Sequence, residues 1–149
     1  MAWTCVRFDE LSVQQLYDLL ALRSQVFVVE QHCVFLDIDG LDRQTLHLLG
    51  TGDDGALQAY ARLIPPGVKA ADALIGRVVT APASRGGGTG RQLMAEAIAQ
   101  CLRLWPRHAI TLHAQAHLER FYGSFGFEPV GEPYMEDGIP HVEMHKETA

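Results

Sequence analysis

The chain has 149 residues, the length of one ordinary domain, and can bury a core without disulfides or metals. With 48% hydrophobic and 20% charged residues it reads as globular, and no stretch nears the roughly 18 apolar residues of a membrane span. A net charge of −6 argues against the basic stripe that a nucleic-acid partner requires.

The predicted elements alternate strand and helix, as in an α/β or α+β layered domain over residues 1–149. Residues 3–8 alternate as a first strand, and Arg7, Asp9 and Glu10 break any apolar run, so no signal peptide is expected. Ser12 is placed as an N-cap, with Gln15 completing a capping box and Leu11 and Leu16 forming a hydrophobic staple. The helix carries the stripe Leu16, Leu19, Leu20, Val26 and Phe27 with Arg23 inside it, and β-branched Val28 and Val29 are expected to end it. Residues 45–49 and 56–64 read as antiparallel strands joined by a glycine- and aspartate-rich turn. Residues 73–80 form a β-branched strand. A helix is predicted from Thr89 to Trp105, with Leu93, Met94, Ala97, Ile98, Cys101 and Leu104 on its apolar face and Pro106 as its stop. Residues 109–114 are another strand. Leu118, Phe121, Tyr122 and Phe125 then fall at helical spacing before Gly126. Residues 129–134 and 141–146 form a hairpin about Asp137-Gly138.

Cys5, Cys33 and Cys101 are too far apart in sequence, and of the wrong number, to suggest a disulfide framework or a zinc site, and are read as buried thiols. Acids gather at Asp37, Asp39 and Asp42 and again at Glu132, Glu136 and Asp137. They are read as solvated loops, the alternative being a field that draws in a cationic amine. The first cluster fails as a calcium loop because Gly40 comes early and position 48 is leucine. The pairs His113/His117 and His141/His145 begin on predicted strands, where i, i+4 spacing does not converge on a metal, so none is expected.

The segment IGRVVTAPASRGGGTGRQLM runs from a strand through glycines into a helix. Amides at a helix N-terminus, the helix dipole and open glycines suit an anion, and Arg85 and Arg91 add charge. A phosphate or pyrophosphate is the implied ligand, with a ligand-free turn as the alternative. The Walker A pattern fails because Arg91 and Gln92 follow Gly90, and the Rossmann pattern fails at Arg91. Arg85-Gly86-Gly87-Gly88-Thr89-Gly90 fits Arg/Gln-x-x-Gly-x-Gly/Ala, and there the sequence resembles the pyrophosphate motif of the GNAT (Gcn5-related N-acetyltransferase) superfamily. Tyr122-Gly123-Ser124-Phe125-Gly126-Phe127 resembles the family's Tyr-x-x-x-Gly-Phe segment. Gln115 stands where the family usually has asparagine. Residues 22–31, 37–42 with His47, 77–94 and 136–141 resemble the ElaA-like branch of that superfamily.

The resemblance implies a GNAT-like mixed, twisted, mostly antiparallel sheet of six to seven strands, with splayed central strands and helices on both faces. It implies acetyl-CoA as co-substrate, with Val78, Val79 and Thr80 pairing with its pantetheine arm, Arg85 to Arg91 at its pyrophosphate, and Gln115 beside the arm. An amine must lose a proton to attack a thioester, so a base or a water chain is required. Glu30, His113, His141 and Glu143 are the candidates. The backbone N–H of Val79 or a neighbour is placed to polarise the acetyl carbonyl. Tyr122 is the candidate for meeting the leaving thiolate. A free phenol lies about 1.5 pKa units above a thiol, so full transfer is uphill by roughly 2 kcal/mol. Arg62 and Arg77 are expected to pair with Glu30 or Asp39, with Arg77, Glu30 and His141 bordering the acceptor.

The expected protein is a cytoplasmic N-acetyltransferase acting on a small-molecule or peptide amine, with no membrane partner and homodimerisation as one option. A non-catalytic acyl-CoA sensor and a nucleotide-binding protein are the alternatives.

Overall fold

The computed structural model describes residues 1–147. Strand β1 (Ala2–Arg7) leads to helix α1 (Val13–Arg23) through Ser12. The capping box is formed: the Gln15 amide donates to Ser12 Oγ at 3.0 Å, and the Ser12 amide donates to Gln15 Oε1 at 2.9 Å. Leu11 and Leu16 pack half-buried on one apolar cluster, as a staple requires. Val28 and Val29 do not end the helical winding, which widens into a π turn over Ser24–Glu30. Each β-branched residue costs a helix roughly 0.5 kcal/mol, less than the burial of Val26 and Phe27 against the sheet returns.

Strands β2 (Leu46–Thr51), β3 (Leu57–Ile64) and β4 (Ala73–Thr80) follow as an antiparallel meander. Helix α2 (Thr89–Leu104) crosses to β5 (Ile110–Gln115). The short α3 (Glu119–Gly123) then leads to the hairpin β6 (Glu128–Glu136) and β7 (Ile139–Lys146). Asp137 and Gly138, with φ of 52° and 76°, make its tight turn. The sheet order is β1-β2-β3-β4-β5-β7-β6, and only β4–β5 is parallel.

Side-chain alternation gives the sheet two apolar faces. Leu48, Ala59 and Ala61 meet Leu93, Met94, Ala97, Ile98 and Cys101 of α2. Their neighbours Leu49, Tyr60 and Val79 meet Leu19, Leu22 and Val26 on the other side. Helices therefore cover both faces. Cys101 is buried as expected, whereas Cys5 and Cys33 are only half-buried. Among the described residues, no helix is long and apolar enough to cross a membrane, and no cluster of three or more potential metal ligands occurs.

Candidate active site

The parallel junction is short. Ala73 pairs with Ile110 and Leu74 with Thr111, and the strands then diverge. Beyond that point β4 pairs only with β3, and β5 only with β7. Backbone groups must find partners or water, so the divergence leaves one edge of residues 76–80 available to a ligand. The resulting cleft of about 320 Å³ is walled by Val78, Val79 and Thr80 on one side and by Leu112, His113 and Gln115 on the other. Tyr122 and the β6–β7 turn complete it.

At one end of β4 lies the glycine loop. Gly86 and Gly88 have φ of 88° and 81°, a region that side-chain-bearing residues avoid. No atom lies within 4 Å of where a Cβ would stand on Gly86, Gly87 or Gly88, so that face is open. Gly88 begins α2 without a side-chain cap, leaving first-turn amides to an outside acceptor. Open glycines, an uncapped 16-residue helix and an unpaired strand edge fit a pyrophosphate joined to a peptide-like arm. Thr89 is buried and Gly90 lies under Phe121. Arg91 packs over Phe125, 4.7 Å from the ring centroid, and donates to Ser124 Oγ at 3.2 Å. Arg85 forks onto Glu30 at 2.6 and 3.2 Å. Glu30 is thus tied to the loop and not to Arg62 or Arg77 as expected, and it stands outside the cleft lining.

Tyr122 lines the cleft, packed edge-on against Phe121 and Phe127. Burial pushes its phenol up to about 12. His141, nine-tenths buried, places Nδ1 2.8 Å from the Ile139 carbonyl. A carbonyl only accepts, so Nδ1 carries a proton, and whenever the ring is neutral its lone pair stands on Nε2. That Nε2 lies 3.5 Å from Glu136 Oε2. His113 is exposed, with Nδ1 2.6 Å from the Tyr134 hydroxyl, which can donate or accept. Glu143, opposite His113 in register, stands outside the cleft lining.

The acids at 37–42 are not a solvated loop. Asp37 and Asp42 are buried beside a fully buried Arg23. Arg23 donates to Asp37 Oδ2 at 2.8 Å and to Asp42 Oδ1 at 2.7 Å. Arg62 donates to both Asp39 oxygens at 2.8 Å and to Asp42 at 3.1 Å. Nε of Arg77 sits 2.9 Å from Asp37 Oδ1, off-axis for a hydrogen bond. Three arginines thus meet three aspartates. Partial desolvation works the other way, but the Arg62 guanidinium and, through a backbone bond, the Leu41 amide hold Asp39 well below the usual carboxylate range. Of this network the sequence reading had only the Arg62–Asp39 pair, and it missed Arg23, Asp37 and Asp42 as members. The sign that went unread was Arg23 inside an apolar stripe. Cys33, Phe35, Lys69, Glu136 and Asp137 also line the cleft without having been assigned to it.

The open glycine loop at a helix start, the parallel seam that opens into a slot and the buried phenol lining it form one continuous candidate ligand site. Residues 37–148 match the family model described as an acetyltransferase (GNAT) domain. Protein ElaA of Escherichia coli is 48% identical over 148 residues, covering 98% of this chain and 96% of its own. The crystal structure of an acyl-CoA N-acyltransferase from Pseudomonas aeruginosa superposes with a TM-score of 0.94 at 46% identity, covering 98% of this chain and 99% of that one. The crystal structure of Escherichia coli ElaA gives 0.92 at 47%, again over 98% and 99%. The chain belongs to the GNAT acetyltransferase family.

Proposed function

We propose that residues 1–149 form one N-acetyltransferase domain that moves an acetyl group from acetyl-CoA to a primary amine of a small polar molecule or peptide, by direct attack in a ternary complex. The observation that carries this reading is the β4–β5 slot with the Tyr122 phenol inside it and the open glycine loop at its end. The expected setting is the cytoplasm, without a metal or nucleic acid.

Acetyl-CoA supplies the activated carbonyl. Residues 85–91 hold its phosphates, and Val78, Val79 and Thr80 with Gln115 line its arm. His141 takes the amine proton at Nε2, because its other nitrogen is committed to Ile139, and Glu136 steadies the charged ring. His113 borders the acceptor. Tyr122 stays protonated and donates a hydrogen bond toward the leaving sulfur. With a phenol at about 12, full transfer to a thiol near 8.5 is uphill by roughly 5 kcal/mol, so its work is stabilisation of developing charge.

The test is CoA release over a panel of amines, with Tyr122→Phe beside the unaltered protein. Amine-dependent release that falls in the variant, with CoA binding kept, supports transfer. Tight CoA binding with no release for any amine would favour a sensor.

A further inference from the structure

The charges facing the cleft describe the acceptor. Asp37, Asp39 and Asp42 are paired with Arg23, Arg62 and the Nε side of Arg77, which leaves the terminal nitrogens of Arg77 as the outward face of the network. What faces the cleft is divided by wall: Arg62, Lys69, Arg77 and Arg85 on one side, with Arg62 bonded to Asp39 and Arg85 to Glu30, and Glu136 and Asp137 on the hairpin side with His141.

Arg77 is held as a receptor group would be. It sits at a bulge, where Tyr60 pairs with Val79 but Arg62 pairs with Gly76, and its φ is 50°. Bulges re-aim side chains, commonly beside functional sites. Its guanidinium carbon lies 5.6 Å from the ring centroids of both Phe27 and Phe35, and Asp37 fixes the Nε side. The two terminal nitrogens make no hydrogen bond among the described residues and are not buried. The result is an immobilised fork with two free donor groups in the cleft, the geometry that matches a carboxylate through two parallel bonds.

The geometry points to an acceptor that carries a carboxylate as well as its amine: a free amino acid, its carboxylate on Arg77 with Lys69 adding charge, and its amine toward His141 and Glu136. This deepens the acetyl-transfer reading and rests on it for the fate of the amine, whereas carboxylate recognition can be measured without turnover.

The test compares glycine, L-alanine, L-phenylalanine and 4-aminobutyrate, each with its own carboxamide. Two readouts are taken: acetyl-CoA-dependent CoA release, and calorimetric binding in the presence of CoA. At least one carboxylate is expected to show a tenfold or larger advantage over its amide in KM or Kd. Arg77→Gln and Arg77→Lys remove that advantage, with the Kd for CoA unchanged. Arg77→Lys keeps the charge but lacks the fork, so it carries the comparison if Arg77→Gln unfolds. Equal use of acids and amides by the unaltered protein, or an advantage that survives in both variants, overturns the inference. Carboxylate-selective binding without any CoA release would sink acetyl transfer and leave the fork standing. Turnover of amides as fast as acids would do the reverse.

Discussion

Oε1 of Glu30 stands 2.6 Å from Nη1 of Arg85, and a second bond of 3.2 Å makes the pair a fork joining the end of the π turn to the glycine loop. Both side chains are about two-fifths exposed, so the pair is worth about 0–1 kcal/mol. A pyrophosphate competes with Glu30 for the same guanidinium. Glu30→Gln is therefore expected to tighten CoA binding by about twofold to fivefold in calorimetry. Turnover should change little, because Glu30 stands outside the cleft lining. A hundredfold loss of kcat would instead make Glu30 the base.

In the proposed reaction, Tyr122→Phe removes one donor to developing charge. The expected loss in kcat is about 10²–10³-fold, with the Kd for CoA and the unfolding midpoint nearly unchanged. Because the phenol is pushed up to about 12, it stays protonated through the neutral and mildly alkaline range. The kcat profile should show no falling limb from this group below about pH 11. A Tyr122-dependent fall between pH 8 and 9 would show that the bound state lowers the phenol.

Asp42 serves two buried guanidiniums at once. Asp42→Ala leaves Arg23 and Arg62 undercompensated and is expected to cost about 3–5 kcal/mol in urea unfolding. A loss under about 1 kcal/mol would mean that water reaches the site and replaces the carboxylate.

His47 gives the fold an acid-sensitive joint. Its Nε2 donates to the Asp42 carbonyl at 2.9 Å, and Nδ1 accepts from the Tyr60 hydroxyl at 2.7 Å. Burial lowers its pKa, with Arg23 and Arg62 adding to the effect against the Asp42 carbonyl. A depressed folded value means that the unfolded chain binds the extra proton first. The stability His47 contributes is complete above about pH 6.5 and declines as pH falls from there toward the folded value. Asp39 and Asp42, also held low, add a second decline below about pH 4. Urea midpoints at pH 7 and pH 5 should therefore differ, and His47→Gln should flatten that difference. Equal slopes in both proteins would remove His47 as the cause.

Most of the fold was legible because its signals are local. Ser12 and Gln15 lie three residues apart, strand alternation spans a few positions, and Gly86 and Gly88 announce their backbone in the sequence itself. Tyr122 was legible through Gly126-Phe127. Most of the arginine–aspartate network was not. Residues 31–45 have no periodicity, and Asp37, Asp39 and Asp42 look like a solvated run until the chain brings Arg23 from 14 positions away, Arg62 from 20 and 23, and Arg77 from farther still. Charge pairing across that distance leaves no spacing pattern to read. The widening of α1 into a π turn was hidden for a different reason: Val28 and Val29 argue locally for a stop, and packing outweighs them.

The two residue pairs that join β4 to β5 make the sheet a pair of leaves on a narrow spine. The first leaf, β1 to β4, is a meander in which each strand pairs with its neighbour in sequence. The second, β5 with β7 and β6, closes on its own hairpin. Each leaf can gain most of its backbone bonds without the other, and their apolar residues share one core with those of α2. A molecule filling the slot would stitch the leaves together along the missing part of the seam. Amide exchange along the facing edges of β4 and β5 is the motion that such stitching would quiet first.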